Sequence, residues 1–126
     1  MKNLITAIFV AGLTALATFG AQAGPSGTFT GASDHITTGK VTIERNDDGT
    51  ATVTLHEDFS LDGAPDPRVG FGRDGEYATE TDLGALHKLT GTQTYIVPAS
   101  VNLDDYNEIY IWCLKFSVPL GVAALN

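Results

Sequence analysis

The 126-residue chain has one cysteine, one tryptophan and only seven Lys and Arg side chains. Each scarcity excludes something. A single thiol, Cys113, cannot close an internal disulfide, so the fold must hold without staples. Seven basic against fifteen acidic side chains give a formal net charge of −8. Nucleic acid and anionic lipid both need basic patches, and this surface repels them. No G-x-S-x-G elbow is present, so Ser/His/Asp hydrolysis has no support. His35, His56 and His87 share no i, i+2 or i, i+4 spacing, which removes a local zinc motif. Internal repeats, low-complexity tracts and 3.6-period apolar stripes are also missing from the body of the chain.

The N-terminus does carry a long uncharged run. Lys2 supplies a positive start, Leu4 to Ala21 has no charged side chain, and Ala21-Gln22-Ala23 followed by Gly24-Pro25 fits a signal-peptidase site. Residues 1–23 therefore read as a cleavable secretion signal and 24–126 as one exported domain, periplasmic or secreted. A retained membrane anchor is the rival reading. Thr6, Gly12, Thr14, Thr18 and Gly20 dilute the run, and no positive cluster follows it. Loss of Lys2 with the signal leaves six basic and fifteen acidic side chains, a charge of −9. Such a surface keeps an exported protein soluble or suits a basic partner.

After the signal, apolar residues recur with period two. Val41 and Ile43 alternate with Lys40, Thr42 and Glu44, and Ala51, Val53 and Leu55 alternate with Thr52, Thr54 and His56. Asn46-Asp47-Asp48-Gly49 lies between them. Strand, Asx-Gly turn, strand predicts a β-hairpin. Further β-type runs are Arg68 to Phe71, Gln93 to Val97, Asn107 to Val118 and Leu120 to Leu125, with Pro119 marking a bulge or strand break. A short helical turn is considered around Thr81 to Lys88. The fold class is all-β, a single antiparallel β-sandwich or barrel-like domain.

Two motifs carry sharper alternatives. Gly70-Phe71-Gly72-Arg73-Asp74-Gly75 matches G-x-G-x-x-G, but the following Glu76-Tyr77-Ala78-Thr79 reads as extended or loop instead of helix, so it is taken as a glycine-rich turn. The acidic turns at 46–49 and 62–66 lack the ligand spacing of a calcium loop and read as Asx turns. No metal site is assigned, and no cofactor site is evident.

The segment Ile109 to Val118 is the most informative. Taken as one strand, Tyr110, Trp112, Leu114, Phe116 and Val118 form an apolar face that should lie on the core. Cys113 then sits on the opposite face with Lys115 two residues on, roughly 6.5–7 Å along the strand. An ammonium beside a thiol favours the thiolate. This makes Cys113 a candidate redox thiol and Lys115 its candidate stabiliser. The alternative is a small buried hydrophobe that happens to be cysteine.

The stretch from Ile111 to Ala123, ending in Leu125, resembles the C-terminal signature of the DM-thirteen domain family. Gly27-Thr28-Phe29 with His35, Asp58-Phe59, Gly63-Ala64-Pro65-Asp66, Leu83-Gly84-Ala85-Leu86 and Gln93 with Tyr95 resemble its earlier parts in order. Pro67, directly after Asp66, departs from that pattern. The resemblance implies an extracytoplasmic all-β domain whose single cysteine acts in electron transfer. Relatives can share a chain with haem-binding domains or membrane cytochromes. This sequence carries no second domain, so the implied redox partner, a haem or membrane cytochrome protein, would act in trans. A binding or adhesion module is the alternative. Its surface would use Phe71, Tyr77 and Tyr106, and its cysteine would be structural.

Overall fold

The computed structural model describes residues 24–126. The proposed signal at 1–23 lies outside the described residues. From Gly24 onward the chain is all-β. It forms an eight-stranded antiparallel sheet that curls into a half-barrel, beside a separate two-stranded ribbon. Among the described residues, no helix is long and apolar enough to cross a membrane.

The expected hairpin is present. Strand β3 (Lys40–Arg45) pairs with β4 (Ala51–Leu55), running from Val41 opposite Leu55 to Arg45 opposite Ala51. The Asn46–Gly49 turn closes it. Asp48 accepts hydrogen bonds from the Thr50 N–H at 3.0 Å and the Thr50 hydroxyl at 2.6 Å. Both hold its carboxyl below the usual value of 3.8. The acidic residue thus serves turn geometry, as Asx residues do.

Strand β1 (Ser26–Gly31) is the fold's hinge, and it is absent from the sequence expectations. Its first half, Ser26 to Thr28, pairs with β3. Its second half, Phe29 to Gly31, pairs with β10 (Val118–Ala124). One strand thereby joins two halves. On one side lie β3, β4 and β8 (Gln93–Val97). On the other lie β10, β9 (Glu108–Cys113), β6 (Pro67–Arg73) and β7 (Glu76–Ala78). Strands β2 (Thr37–Thr38) and β5 (Ser60–Leu61) form the ribbon.

Each half turns one face into a common core. Val41, Ile43, Val53, Leu55 and Val97 come from one side. Val69, Phe71, Ile109, Ile111, Cys113 and Leu120 come from the other. Each side chain of Val, Leu or Phe size buried this way contributes about 1.5–3 kcal/mol. That is how a domain without disulfides holds together. Pro119 cannot donate to the ladder. The pairing of β10 with β9 slips between Pro119 and Gly121, and Leu120 drops fully into the core. Its carbonyl is tied down by the Thr37 hydroxyl at 2.7 Å and the Ala32 N–H at 3.0 Å.

Several sequence readings are corrected. The run from Asn107 to Val118 is not one strand. It is β9, a turn over Leu114 to Ser117, and the start of β10. No helix forms over Thr81–Lys88. Short 3₁₀ turns occur instead at Thr79–Thr81 and Leu103–Asp105. The G-x-G-x-x-G stretch is β6, a two-residue turn at Asp74-Gly75, and β7, so only its third glycine is a turn residue.

The core assignment makes a contrast measurable. Leu55→Ala should destabilise the domain by about 2–5 kcal/mol. Ile96→Ala, on the same half but 59 % exposed, should change stability by under about 0.5 kcal/mol. Denaturant melts of both variants check this.

Candidate functional site

Strand β9 is hydrogen-bonded on both edges, to β6 and to β10. Its alternate residues therefore face opposite sides of the sheet. Ile109, Ile111 and Cys113 point into the core, all 1 % exposed or less. Tyr110 and Trp112 point outward. This inverts the sequence assignment, which put the aromatic residues on the core. The expected outward thiol beside Lys115 is replaced by an inward one.

Cys113 ends β9 under a lid. Its S–H donates to the Pro65 carbonyl oxygen at 3.3 Å, and its carbonyl accepts the Ser117 N–H at 2.8 Å. Pro67 lies opposite it in the ladder. As the first residue of β6, Pro67 has no N–H to give, a position where a sheet tolerates proline. The Leu114 N–H donates to the Asp66 carbonyl at 3.1 Å. Arg68 holds the Asp66 carboxylate at 3.6 Å and chelates Asp82 at 3.1 and 3.3 Å. The Asp82 contact is the main reason the guanidinium is pushed up from its ordinary value. Asp66 (φ 51°) and Ser117 (φ 55°), one on each segment around the thiol, both adopt the left-handed backbone that side chains other than Asn, Asp and Gly seldom take.

Lys115 does not lie along β9. It belongs to the Leu114–Ser117 turn, and its Nζ sits 5.6 Å from the centre of the Phe116 ring. The strand spacing that placed it beside Cys113 does not apply. Leu114 and Phe116, expected in the core, are 45 % and 61 % exposed at the hairpin tip.

On the outer face of β9 lies an aromatic cluster. Tyr77 from β7 stacks on Trp112, with ring centres 4.3 Å apart and planes 12° from parallel. It meets Tyr110 edge-on at 5.4 Å, and Tyr110 meets Trp112 edge-on at 6.3 Å. The two glycines of β6 make room for this. A Cβ on Gly70 would fall 2.5 Å from the Tyr77 hydroxyl, and one on Gly72 would collide with the Tyr110 ring. Glycine inside a strand here marks close approach of another group. The Tyr110 hydroxyl donates to Glu108 Oε1 at 3.1 Å, and the same oxygen accepts the Gly75 N–H at 3.0 Å. The buried Tyr77 hydroxyl has no hydrogen-bond partner among the described residues.

The remaining candidates are scattered. Phe71 is buried in the core and packs on Tyr106 at 5.9 Å, so Phe71, Tyr77 and Tyr106 do not form one exposed patch. His35 pairs with Asp62 at 2.9 Å, His56 contacts the Thr42 hydroxyl at 2.8 Å, and His87 packs on Tyr95. Among the described residues, no three His, Cys, Asp or Glu side chains gather as metal ligands. The sequence reading missed the cluster of Tyr77, Tyr110 and Trp112 with Gly70, Gly72 and Glu108. A signal existed: Gly-x-Gly inside an apolar run, together with bulky aromatics two apart on another strand.

Compared with known proteins, the chain matches a family model described as electron transfer DM13, over residues 28–125. No curated protein and no solved structure matches.

The packing of the cluster makes a pH prediction. Burial, reinforced at Tyr77 by the negative Asp82 and at Tyr110 by the bond to Glu108, pushes both phenols up from 10.0 to about 12. The unfolded chain, with tyrosines near 10, loses those protons first. Stability should therefore fall as pH rises from about 10 to about 12. Spectrophotometric titration should show the two phenols ionising late. In Gly72→Ala, where the Tyr110 ring is displaced, the near-ultraviolet circular dichroism of the cluster should collapse.

Proposed function

This chain belongs to the DM13 electron-transfer family, and from that premise we propose that it is an exported electron-transfer module whose redox group is Cys113, acting with a separate protein in trans. The observation that carries the reading is the thiol's setting. It is the chain's one sulfhydryl, it ends a strand pinned on both edges, and a lid of Pro65, Asp66 and Pro67 covers it. Pro67 is fixed as the first residue of β6, with its carbonyl accepting the Leu86 N–H at 2.8 Å, but the part of the lid ahead of it is held by few contacts. They are the Pro65 carbonyl on Sγ, the Asp66 carbonyl on the Leu114 N–H, and a half-exposed Arg68–Asp66 pair.

With one thiol, the exchange needs a partner disulfide. On opening, Cys113 gives up its proton and its sulfur attacks one partner sulfur. One S–S bond breaks and one forms, the partner's other sulfur leaves as thiolate with the electron pair, and Cys113 is oxidised to a mixed disulfide. In the closed form Cys113 is 1 % exposed, so the rate of exchange follows the opening of the lid.

A second reading is favoured by one observation. The tip beside the thiol presents Leu114 and Phe116, largely exposed, with the Lys115 ammonium against the Phe116 ring. In a binding module this tip would contact the partner, and Cys113 would only pack the core.

The two readings separate on labelling and on substitution. Protein from the exported fraction is alkylated without reductant and weighed intact. For the redox module, Pro65→Gly should label Cys113 at least about tenfold faster than wild type, the effect of removing about 1.4 kcal/mol from local opening. Its unfolding midpoint should barely move. Cys113→Ala should keep the fold and abolish electron flow with the native partner. Labelling only on global unfolding in both proteins, with electron flow intact in Cys113→Ala, would leave the binding module.

A further inference from the structure

We propose that Trp112, Tyr77 and Tyr110 form a relay for one-electron oxidation that ends on Tyr110, with the Glu108 carboxylate as acceptor of the phenolic proton. The proposal rests on the electron-transfer reading but needs no thiol. It deepens that reading by giving this domain a second redox group, on the face of β9 opposite Cys113.

Three observations carry it. The first is contact. The three rings touch one another pairwise, with centres 4.3, 5.4 and 6.3 Å apart, and the tightest pair is stacked nearly parallel. Electrons pass readily between π systems in contact, and tryptophan and tyrosine are the side chains from which one electron is most easily removed without metal or sulfur. The second is graded exposure. Trp112 and Tyr77 are partly open to solvent, whereas Tyr110 is 2 % exposed beneath them. An oxidant meets the first two, and the electron is drawn from the third.

The third observation decides the end point. A phenol that loses an electron becomes so acidic that it must shed its proton, so oxidation is easy only where an acceptor waits. Tyr77 has none, since its hydroxyl is buried without a partner. Tyr110 has one at 3.1 Å, and Glu108 is held in place by the Gly75 N–H. Both phenols stay protonated throughout the physiological range, so the proton must move with the electron. Gly70 and Gly72 hold the rings against the strand without a side chain between.

A high-potential, metal-centred one-electron oxidant takes an electron from Trp112, leaving the indole radical cation. Tyr110 passes an electron to Trp112, directly or through Tyr77, and its proton to Glu108 Oε1. The indole is restored, Tyr110 is left as the neutral phenoxyl radical, Glu108 is protonated, and the oxidant is reduced by one electron.

The test uses the full chain and a photogenerated ruthenium(III) polypyridyl as oxidant, with transient absorption and electron paramagnetic resonance as readouts. Wild type and Cys113→Ala should both give a tyrosyl radical with a solvent deuterium isotope effect on its formation. Tyr110→Phe should lose that radical. Glu108→Gln still accepts both hydrogen bonds but is a far weaker base, so it should slow radical formation by at least about tenfold. An undiminished tyrosyl signal in Tyr110→Phe overturns the relay. So does a Glu108→Gln variant indistinguishable from wild type. The two readings fail separately. Loss of the relay leaves electron flow through Cys113 untouched, and a dispensable Cys113 leaves the relay untouched.

Discussion

Strand β9 is paired along both edges, and the rest of the molecule depends on that confinement. A strand with a free edge can slide. One held between β6 and β10 cannot, because a one-residue slip would carry Ile109, Ile111 and Cys113 out of the core and drive Tyr110 and Trp112 into it. The thiol and the aromatic cluster are thus two consequences of a single register. They are neighbours in sequence and separated by the thickness of a sheet.

The acidic residues show how a negative chain organises itself with few cations. Asp48 closes a turn, Asp58 accepts the Lys40 N–H, and Asp62 accepts both the Ile36 N–H and His35. Asp82 takes Arg68 and the Gly84 N–H together. With lysines and arginines scarce, these carboxylates find their donors in backbone N–H groups outside the ladder. The same negative charge that dominates the composition is also part of what fastens the loops.

Where the sequence was legible, local chemistry and tertiary context agreed. The hairpin of β3 and β4 announces itself because Val41, Ile43, Val53 and Leu55 alternate with polar residues around an Asx-Gly turn. Strand β8 has the same clarity. The β9 segment misled for two physical reasons. Both of its faces are apolar, so period two has no polar side to mark outward, and aromatic bulk was taken as a sign of core. Its turn, Leu114-Lys115-Phe116-Ser117, contains no glycine, proline, asparagine or aspartate. Ser117 adopts the left-handed backbone a glycine would normally supply, so nothing in the sequence punctuates the hairpin. Strand β1 escaped notice because Gly27, Thr28 and Gly31 give it little apolar alternation. Its role comes from pairing two different partners, which no local pattern encodes.

The divided pairing of β1 also sets an order in time. Ser26 exchanges two backbone hydrogen bonds with Asn126, at 3.1 and 3.0 Å, and β10 lies between β1 and β9. The bridge that β1 makes between the halves is therefore completed by β10, the strand farthest from it in the described sequence. Until β10 arrives, β3, β4 and β8 can form only a partial sheet, and the Cys113 strand lacks one of its two neighbours. Pairing strands this far apart in sequence is slow, in the range of milliseconds to seconds for sheets of such topology. The sheet around Cys113 thus closes only through β6 on one edge and β10 on the other, with β10 itself held by β1 from the opposite end of the described sequence.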